Sequence, residues 1–593
     1  MFKDYYQKEL RLLRETAADF AISNPGLAGM LKESSTDPDT ERLLEGFAFL
    51  TANIHRELDE QFPTFLYSLA QIVCPDYLRP MPSVTVMEFK PKVSLNQTLR
   101  VPAGTYVDSR QVLTESMQQE GRPAETCRFR TCLPLDVMPL TLVGARYLEN
   151  DAIGDHSGRQ VSFKLDFELL NTTLAEVHCD RMRLFLSGGF NEAADLYLLL
   201  NRSVTAVHVN SGKNREQGVS LSASVIQPVG FADSETLYKR SKTELPAFAL
   251  LQEYFLFPKK YLFVDIDLSQ WRERGNGTYF ALTFEAGVPD FPLPPVSVNH
   301  VHLHATPAVN LFEAETEPVL IDHKDHEVRL TVQSDSRTRL PIFAVHKAES
   351  MARGRRGNRR FLPIGAFNLK DSANARFMMS FRLSENDNVT ETYVSLAFPP
   401  SDPPADREVF RATVTCFNDL LPTALEPGDI DQATMSTSEL VTFRNLTIPT
   451  PGIRPMLRSD ALWHLLSDLS LNYMSLASAD TLKTLLRHYI PSDSEDERRF
   501  IANTKRVDAI TEVCVEPAET LHKQSFLRGQ KIRVLARSDY FSGEGDRYLF
   551  GCLLDHLFAS SSGFNVFTQL VMEDSVSGAQ TEWPVRLGRQ ALL

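Results

Sequence analysis

The chain has 593 residues, 43% hydrophobic and 23% charged, a composition that supports several buried cores. Its net charge of −14 excludes a general nucleic-acid binder, which needs a positive surface to displace phosphate counterions. No apolar run is long enough to insert in a membrane, no signal-peptide core follows MFKDYYQKELRLL, and the seven cysteines form no CxxC, so a cytoplasmic protein with reduced thiols is expected.

Residues 1–22 read as an amphipathic helix. Tyr6, Leu10, Leu13, Ala17 and Phe20 step by 4, 3, 4 and 3, the seam spacing of helix-on-helix packing, and Asn24-Pro25-Gly26 stops them. A second helix follows Asp37-Pro38-Asp39, with a stripe of Leu43, Phe47, Leu50, Ile54, Leu58 and Phe62 that ends at Pro63. A short third helix runs from Phe65 to Val73. Residues 1–80 thus form a helical N-terminal module, whose stripe either closes on its own core or completes a bundle with another chain.

From Ser83 to about 455 the pattern is short alternating runs between turn residues. SVTVMEFKP, VSFKLDFELL, MRLFLSG, YLFVDIDL, YFALTFEA, VRLTVQS and YVSLAF all read as strands. The prolines of FPLPPV divide this stretch into two β-rich domains, 81–292 and 293–452, and NLTIPTPGIRP closes the second. The remainder, 453–593, mixes helices (LWHLLSDLSLNYMSL, ADTLKTLLRHYI, YLFGCLLDHLFASS) with strands (KIRVLARS, FNVFTQLVME). The fold class is α+β multidomain: a helical N-terminal module, a β-sandwich-rich middle and an α+β C-terminal domain.

Three stretches invite a chemical reading. In residues 462–476, His464 and Asp468 are one helical turn apart with Ser467 between them. A nucleophilic serine needs an exposed sharp turn and an oxyanion hole, and this segment has no glycine. Leu462, Leu466, Leu469, Tyr473 and Leu476 instead step by 4, 3, 4 and 3, with Trp463 widening the apolar face, so the segment reads as a packing helix. In VNHVHLHATP, alternation would place His300, His302 and His304 on one strand face, which is the best zinc pattern in the chain, although no HExxH or carboxylate spacing supports it. In MARGRRGNRRF, Arg353, Arg355, Arg356, Arg359 and Arg360 form a basic, glycine-containing loop suited to an acidic partner surface. It lacks the GxxxxGK[ST] phosphate-loop pattern.

Longer strings say more. MFKDYYQKELRLLRETAADFA, the segment from DPDTERLLEGFAFL to CPDYLRPMPS, VPAGTYVDSR with CRFRT, PVGF with LLQEYFLFPKKYLFVDI, TPAVNLF, PTPGIRP with LWHLLSDLSLNY, and LFGCLLDHLFASSSGFNVFTQL occur in the order of one family. The chain resembles the type VI secretion system baseplate subunit TssF, also called the ImpG or VasA family. One departure is Asp419 after Asn418 in CFNDLLP, where the family usually has arginine.

The resemblance implies a structural role without a cofactor. Such a subunit assembles as two copies with one TssG into a wedge, which recruits TssK and contacts TssE and the VgrG hub. The wedges form a cytoplasmic baseplate docked at the inner face of the membrane complex, where tail tube and sheath assembly begins. Tyr6, Leu10, Leu13, Phe20, Phe47, Leu50, Ile54, the 462–476 stripe and the basic loop are the interface candidates. The β-rich middle alone leaves open a carbohydrate-binding or tail-fibre-like protein, and His300, His302 and His304 leave open a zinc hydrolase.

Overall fold

The computed structural model describes residues 2–23, 42–55, 70, 77–148, 160–211, 218–239, 246–322, 324, 327–333, 338–352, 358–364, 374–383, 390–455, 478–491, 497–522, 525–564 and 566–588. They build an α+β multidomain fold. Two units are distinct, one holding the N-terminal helices and one beginning at Leu78.

The second unit is organised by a strand buried on both faces, Val84–Pro91. Its apolar and hydroxyl side chains alternate without a solvent side, as a central strand requires. Ala305–Val309 pairs with it on one edge and Val441–Asn445 on the other, both antiparallel. Glu125–Thr131 and Tyr106–Val112 complete this five-stranded sheet. Its core includes Met87, Phe89, Val107, Phe129, Ile430 and Phe443. The two β-rich stretches of the sequence therefore share one sheet.

Two further sheets lie between residues 140 and 303. One runs Gly218–Ser222, Val204–Asn210, Tyr279–Gly287, Gln160–Leu169, Leu140–Leu148, with Phe163 stacked on Phe284 and Phe167 on Phe280. The other orders Ile226–Val229, Phe263–Asp267, Arg181–Leu186 and Val301–Leu303. An eight-stranded sheet then gathers the strands from Phe312 to Cys416 around Val328, Phe361, Phe377, Phe410 and Val414.

The C-terminal part is a sheet with a helical crossover. Ile510–His522 and Ser525–Ala536 form a long hairpin. Phe567–Asp574 adds parallel to the second strand, after the helix Glu544–Ser561. That helix packs on two helices of the middle region, Phe190–Leu198 and Pro246–Leu256. The latter, PAFALLQEYFL, is apolar on nearly all sides, which suits a helix covered all round. At Gly545 a Cβ would fall about 2.2 Å from the Ala194 backbone, so only glycine permits this approach. Gly545 N–H donates to Asp195 at 2.8 Å, and Arg506 donates to Asp546 at 2.8 Å.

One polar node ties the central sheet to its neighbour. Glu88 is buried; its carboxylate meets His302 Nδ1 at 2.8 Å and accepts from Arg444 Nε at 2.9 Å. Burial alone would raise this carboxyl, but His302, Lys90 and Arg444 outweigh it and hold the pKa at about 2. Next to it, His304 has φ 52, a left-handed conformation that histidine tolerates better than most side chains. There the chain leaves the sheet of Val301–Leu303 and enters that of Ala305–Val309. The His304 carbonyl accepts from Phe89 N–H at 3.0 Å and its Nε2 accepts from Met138 N–H at 3.2 Å. Burial pushes its imidazole down to about 4.

Both groups make the fold acid-sensitive in the same direction. The unfolded chain binds a proton at His304 below pH 6.5 and at Glu88 below pH 4.5, while the folded chain resists until about 4 and about 2. Stability is expected to decline as pH falls through those windows. A Glu88→Gln chain should lose about 2 kcal/mol at pH 7, because the bonds from the half-exposed Arg444 and from His302 no longer end on a carboxylate. It should also lose the part of the acid response that lies below pH 4.5. Urea unfolding of both chains from pH 7 to pH 3 measures both effects.

Candidate functional site

The N-terminal unit presents the most apolar exposed surface among the described residues. Helix Phe2–Ser23 turns Glu9 inward, with Tyr6, Leu10, Leu13 and Ala17 half-buried beside it. Phe20 is 52% exposed. The helical residues 42–55 bury Ala48 and Ala52, both 0% exposed. His55 Nδ1 lies 2.6 Å from Glu9 Oε1, which joins the two helices at one end.

The inward face of the second helix is therefore its small-residue face. Its large apolar row, Leu43, Phe47, Leu50 and Ile54, is exposed by 56–74%. A helix serving only its own hairpin would turn this row inward. The row keeps the 4, 3, 4 spacing of a bundle seam with nothing described against it, a surface that becomes favourable to bury only on assembly.

The remaining sequence candidates divide. Leu462, Trp463, Leu466, Leu469, Tyr473 and Leu476 lie outside the described residues, as do Arg353, Arg355 and Arg356. Arg360 is exposed, 3.7 Å from Glu349. Arg359 corrects the basic-loop reading. Its side chain is 4% exposed, with Glu408 at 2.5 Å, Asp402 at 3.0 Å and the Phe398 ring 4.9 Å beneath the guanidinium. It is a buried anchor of the eight-stranded sheet and is not available to a partner.

The three histidines do not converge. His300 bonds Ser297 at 2.7 Å, His302 serves Glu88, and His304 is buried at the change of sheet. The strand assumed for them breaks at His304, and no group of three metal-ligating side chains occurs among the described residues.

Sequence reasoning missed a second exposed feature, the tip of the C-terminal hairpin, where Phe526 is 83% exposed. The only signal in the sequence is the pair of apolar residues in SFLRG.

Replacing Arg359 by alanine should lower unfolding free energy by about 3 kcal/mol, because Glu408 would remain buried without its charge partner. Arg360→Ala should change it by less than about 0.5 kcal/mol. Parallel denaturant titrations separate the buried anchor from the surface charge.

Several strings of the resemblance, and the departing CFNDLLP, make defined contacts in space. Asn310 of TPAVNLF and Asn418 of CFNDLLP bond reciprocally, at 2.8 and 2.7 Å. Asp419, the departure, takes φ 46, which aspartate tolerates. Phe231 of PVGF stacks on His556 of LLDHLF, with ring centroids 4.6 Å apart. Glu253 and Lys260 of LLQEYFLFPKKY form a buried ion pair.

Comparison with known proteins places the whole chain in one family. The sequence profile of the family "Type VI secretion system, TssF" matches residues 1–590. The type VI secretion system component TssF1 of Pseudomonas aeruginosa is 28% identical, over 99% of this chain and 98% of that one. Among solved structures, a chain of the type VI secretion system TssK-TssF-TssG baseplate subcomplex is 25% identical, with a TM-score of 0.76 over 92% of this chain and 98% of its own. A chain of the baseplate complex from the type VI secretion system shares the fold at a TM-score of 0.62 and 22% identity, covering 98% of each. With a family profile spanning nearly its full length, this chain belongs to the TssF family of type VI secretion systems.

Proposed function

We infer that this protein is a structural subunit of the type VI secretion baseplate, in which two copies join one TssG to form a wedge. The observation that carries this reading is the outward row Leu43, Phe47, Leu50 and Ile54. Such a row supports a scaffold whose helical bundle is completed by another chain. Each side chain is still 56–74% exposed, so finishing its burial contributes roughly 1–2 kcal/mol, and the row roughly 4–8 kcal/mol before association entropy is subtracted. That is enough to favour assembly only together with further contacts. Tyr6, Leu10, Leu13 and Phe20 on the first helix, and the 462–476 stripe, are the further contacts this reading assigns. Arg353, Arg355, Arg356 and Arg360 would meet an acidic surface.

The similar solved chain comes from a complex with TssK and TssG, which supports those two proteins as partners. TssE, the VgrG hub and a second copy complete the set, and the baseplate docks on the membrane complex from the cytoplasmic side. Among the described residues no helix is long and apolar enough to cross a membrane. The protein acts by geometry: it holds wedges around the hub and provides the platform on which tube and sheath assembly begins. No bond-making step is assigned to it.

Co-expression with TssG from the same gene cluster, followed by native mass of the purified complex, tests the reading. A species of two chains to one TssG is expected. Phe47→Glu with Leu50→Glu should weaken it at least 100-fold while the sheets of the second unit stay folded. A wild-type chain that folds and leaves TssG unbound would overturn the proposal.

A further inference from the structure

The C-terminal hairpin is longer than the sheet it belongs to. Phe567–Asp574 pairs with the second hairpin strand only from Gly529 to Ala536. Ser525–Arg528 and the opposing Glu519–His522 continue past the end of that third strand, an overhang of about 13 Å. Phe526 stands on this overhang, 83% exposed. Two residues on, Arg528 is 90% exposed, and its cross-strand partner Glu519 is 68% exposed at 3.4 Å, so that surface pair contributes little where it is. An aromatic ring held on a two-stranded arm with a cation beside it has the form of an anchor residue.

A socket of matching chemistry lies at the same end of the same sheet. A cavity of about 480 Å³ is lined by Phe231, Leu250, Ala559, Phe564 and Leu587, with Asp233 also on its wall. Phe564 lies three residues before the strand whose first residue pairs with Gly529, and Leu587 pairs with Phe567, so the cavity sits where the arm leaves the sheet. Phe564 is 69% and Leu587 45% exposed, and the arm's own Phe526 does not cover them. The volume accommodates a phenyl ring. The wall is mainly apolar but also carries His556, Ser560 and Arg586, the last bonded to Asp555, and Asp233 is exposed and opposite in sign to Arg528.

We propose that the arm docks into a second copy of this chain: Phe526 enters the cavity between Phe231, Phe564 and Leu587 of the other copy, and Arg528 pairs with its Asp233. Knob and socket share one end of one sheet, so two copies related by a two-fold axis exchange arms reciprocally and the contact closes on itself. Continuous strand pairing along the outer hairpin strand is a poor alternative. Pro517 removes a ladder donor there, and Glu512, Glu516 and Glu519 would bring like charges together along a symmetric pair. The contact therefore runs through the tip. It rests on the scaffold reading only in that the reading places more than one copy in each assembly.

A cross-linking test uses the full-length chain, alone and bound to TssG. Cys132 and Cys514, half-buried, and Cys74 are first changed to serine. Phe526→Cys is introduced in one preparation and Leu587→Cys in another. Mild oxidation of the mixture should give a product of twice the chain mass that neither preparation gives alone. Sedimentation should show dimerisation of the unaltered chain weakened at least 10-fold by Phe526→Glu. Arg528→Asp should weaken it too, with recovery when Asp233→Arg is added. The altered residues lie at the surface, and TssG capture is read in parallel. Variants that lose dimerisation but keep TssG support the arm contact. An unaltered chain that stays monomeric and gives no cross-link even when bound to TssG overturns it, as does a Phe526→Glu chain that dimerises as tightly as the unaltered one. Failure of the unaltered chain to capture TssG strikes the scaffold reading instead, and the cross-link still decides the arm.

Discussion

The second unit depends on one long-range constraint: the central strand Val84–Pro91 has no partner close in sequence. Val84 lies opposite Val309 and Met87 opposite Asn445. The segment after the second partner is held as well, since Thr447 and Thr450 accept from the backbone of Val86 and Val84. Closing such loops carries entropy that the pairing returns only once it is complete, so the sheet is stable only when its distant segments come together. Glu88 sits in the middle of it, in contact with groups from strands far apart in sequence. A buried carboxylate is tolerable only when its partners His302, Lys90 and Arg444 all arrive, so the node selects one register over its neighbours.

What could be read from the sequence follows the range of the interaction. Strands such as Gln160–Leu169 and Tyr279–Gly287 were legible because alternation is local. Their order in the sheets was not, because nothing local marks Ala305–Val309 as the partner of Val84–Pro91. The histidine strand failed for a different reason. Alternation assumes continuous extended backbone, and His304 breaks it with one left-handed residue that no glycine announced. Arg359 was misread because its two acidic partners, Asp402 and Glu408, lie more than forty residues downstream. In the N-terminal unit the heptad spacing was plain, but its inward side was not. Ala48 and Ala52 occupy that side because small residues let two helices approach closely, and this leaves the large residues outside.

The strings that carried the family resemblance are informative for a physical reason. Asn310 is useful only opposite Asn418, and Glu253 only beside Lys260, since a buried polar group without its partner costs about 1–3 kcal/mol or more. Gly545 admits no side chain because a backbone lies against it. An apolar core residue can be exchanged for another of similar volume at little cost, whereas these positions fix both identity and partner. Distinctive strings and non-local contacts are thus two views of the same constraint. That is why the resemblance located the nodes even though it did not reveal which string meets which.

A chain that serves as scaffold must associate at chosen places and nowhere else. The two kinds of exposed apolar surface are consistent with that demand in different ways. The helical row is extended and smooth, and a seam of that type gains its specificity from register along several turns. The hairpin end carries one exposed ring and one exposed cation on a narrow arm, and under the proposed exchange its specificity would come from fitting a cavity. The outer strand of the hairpin, the most obvious route to uncontrolled association, is interrupted by Pro517 and lined with exposed glutamates. Backbone edges accept almost any strand, while side-chain knobs accept few sockets. Blunting the edge and arming the tip therefore moves the burden of recognition from the backbone, which cannot discriminate, to residues that can.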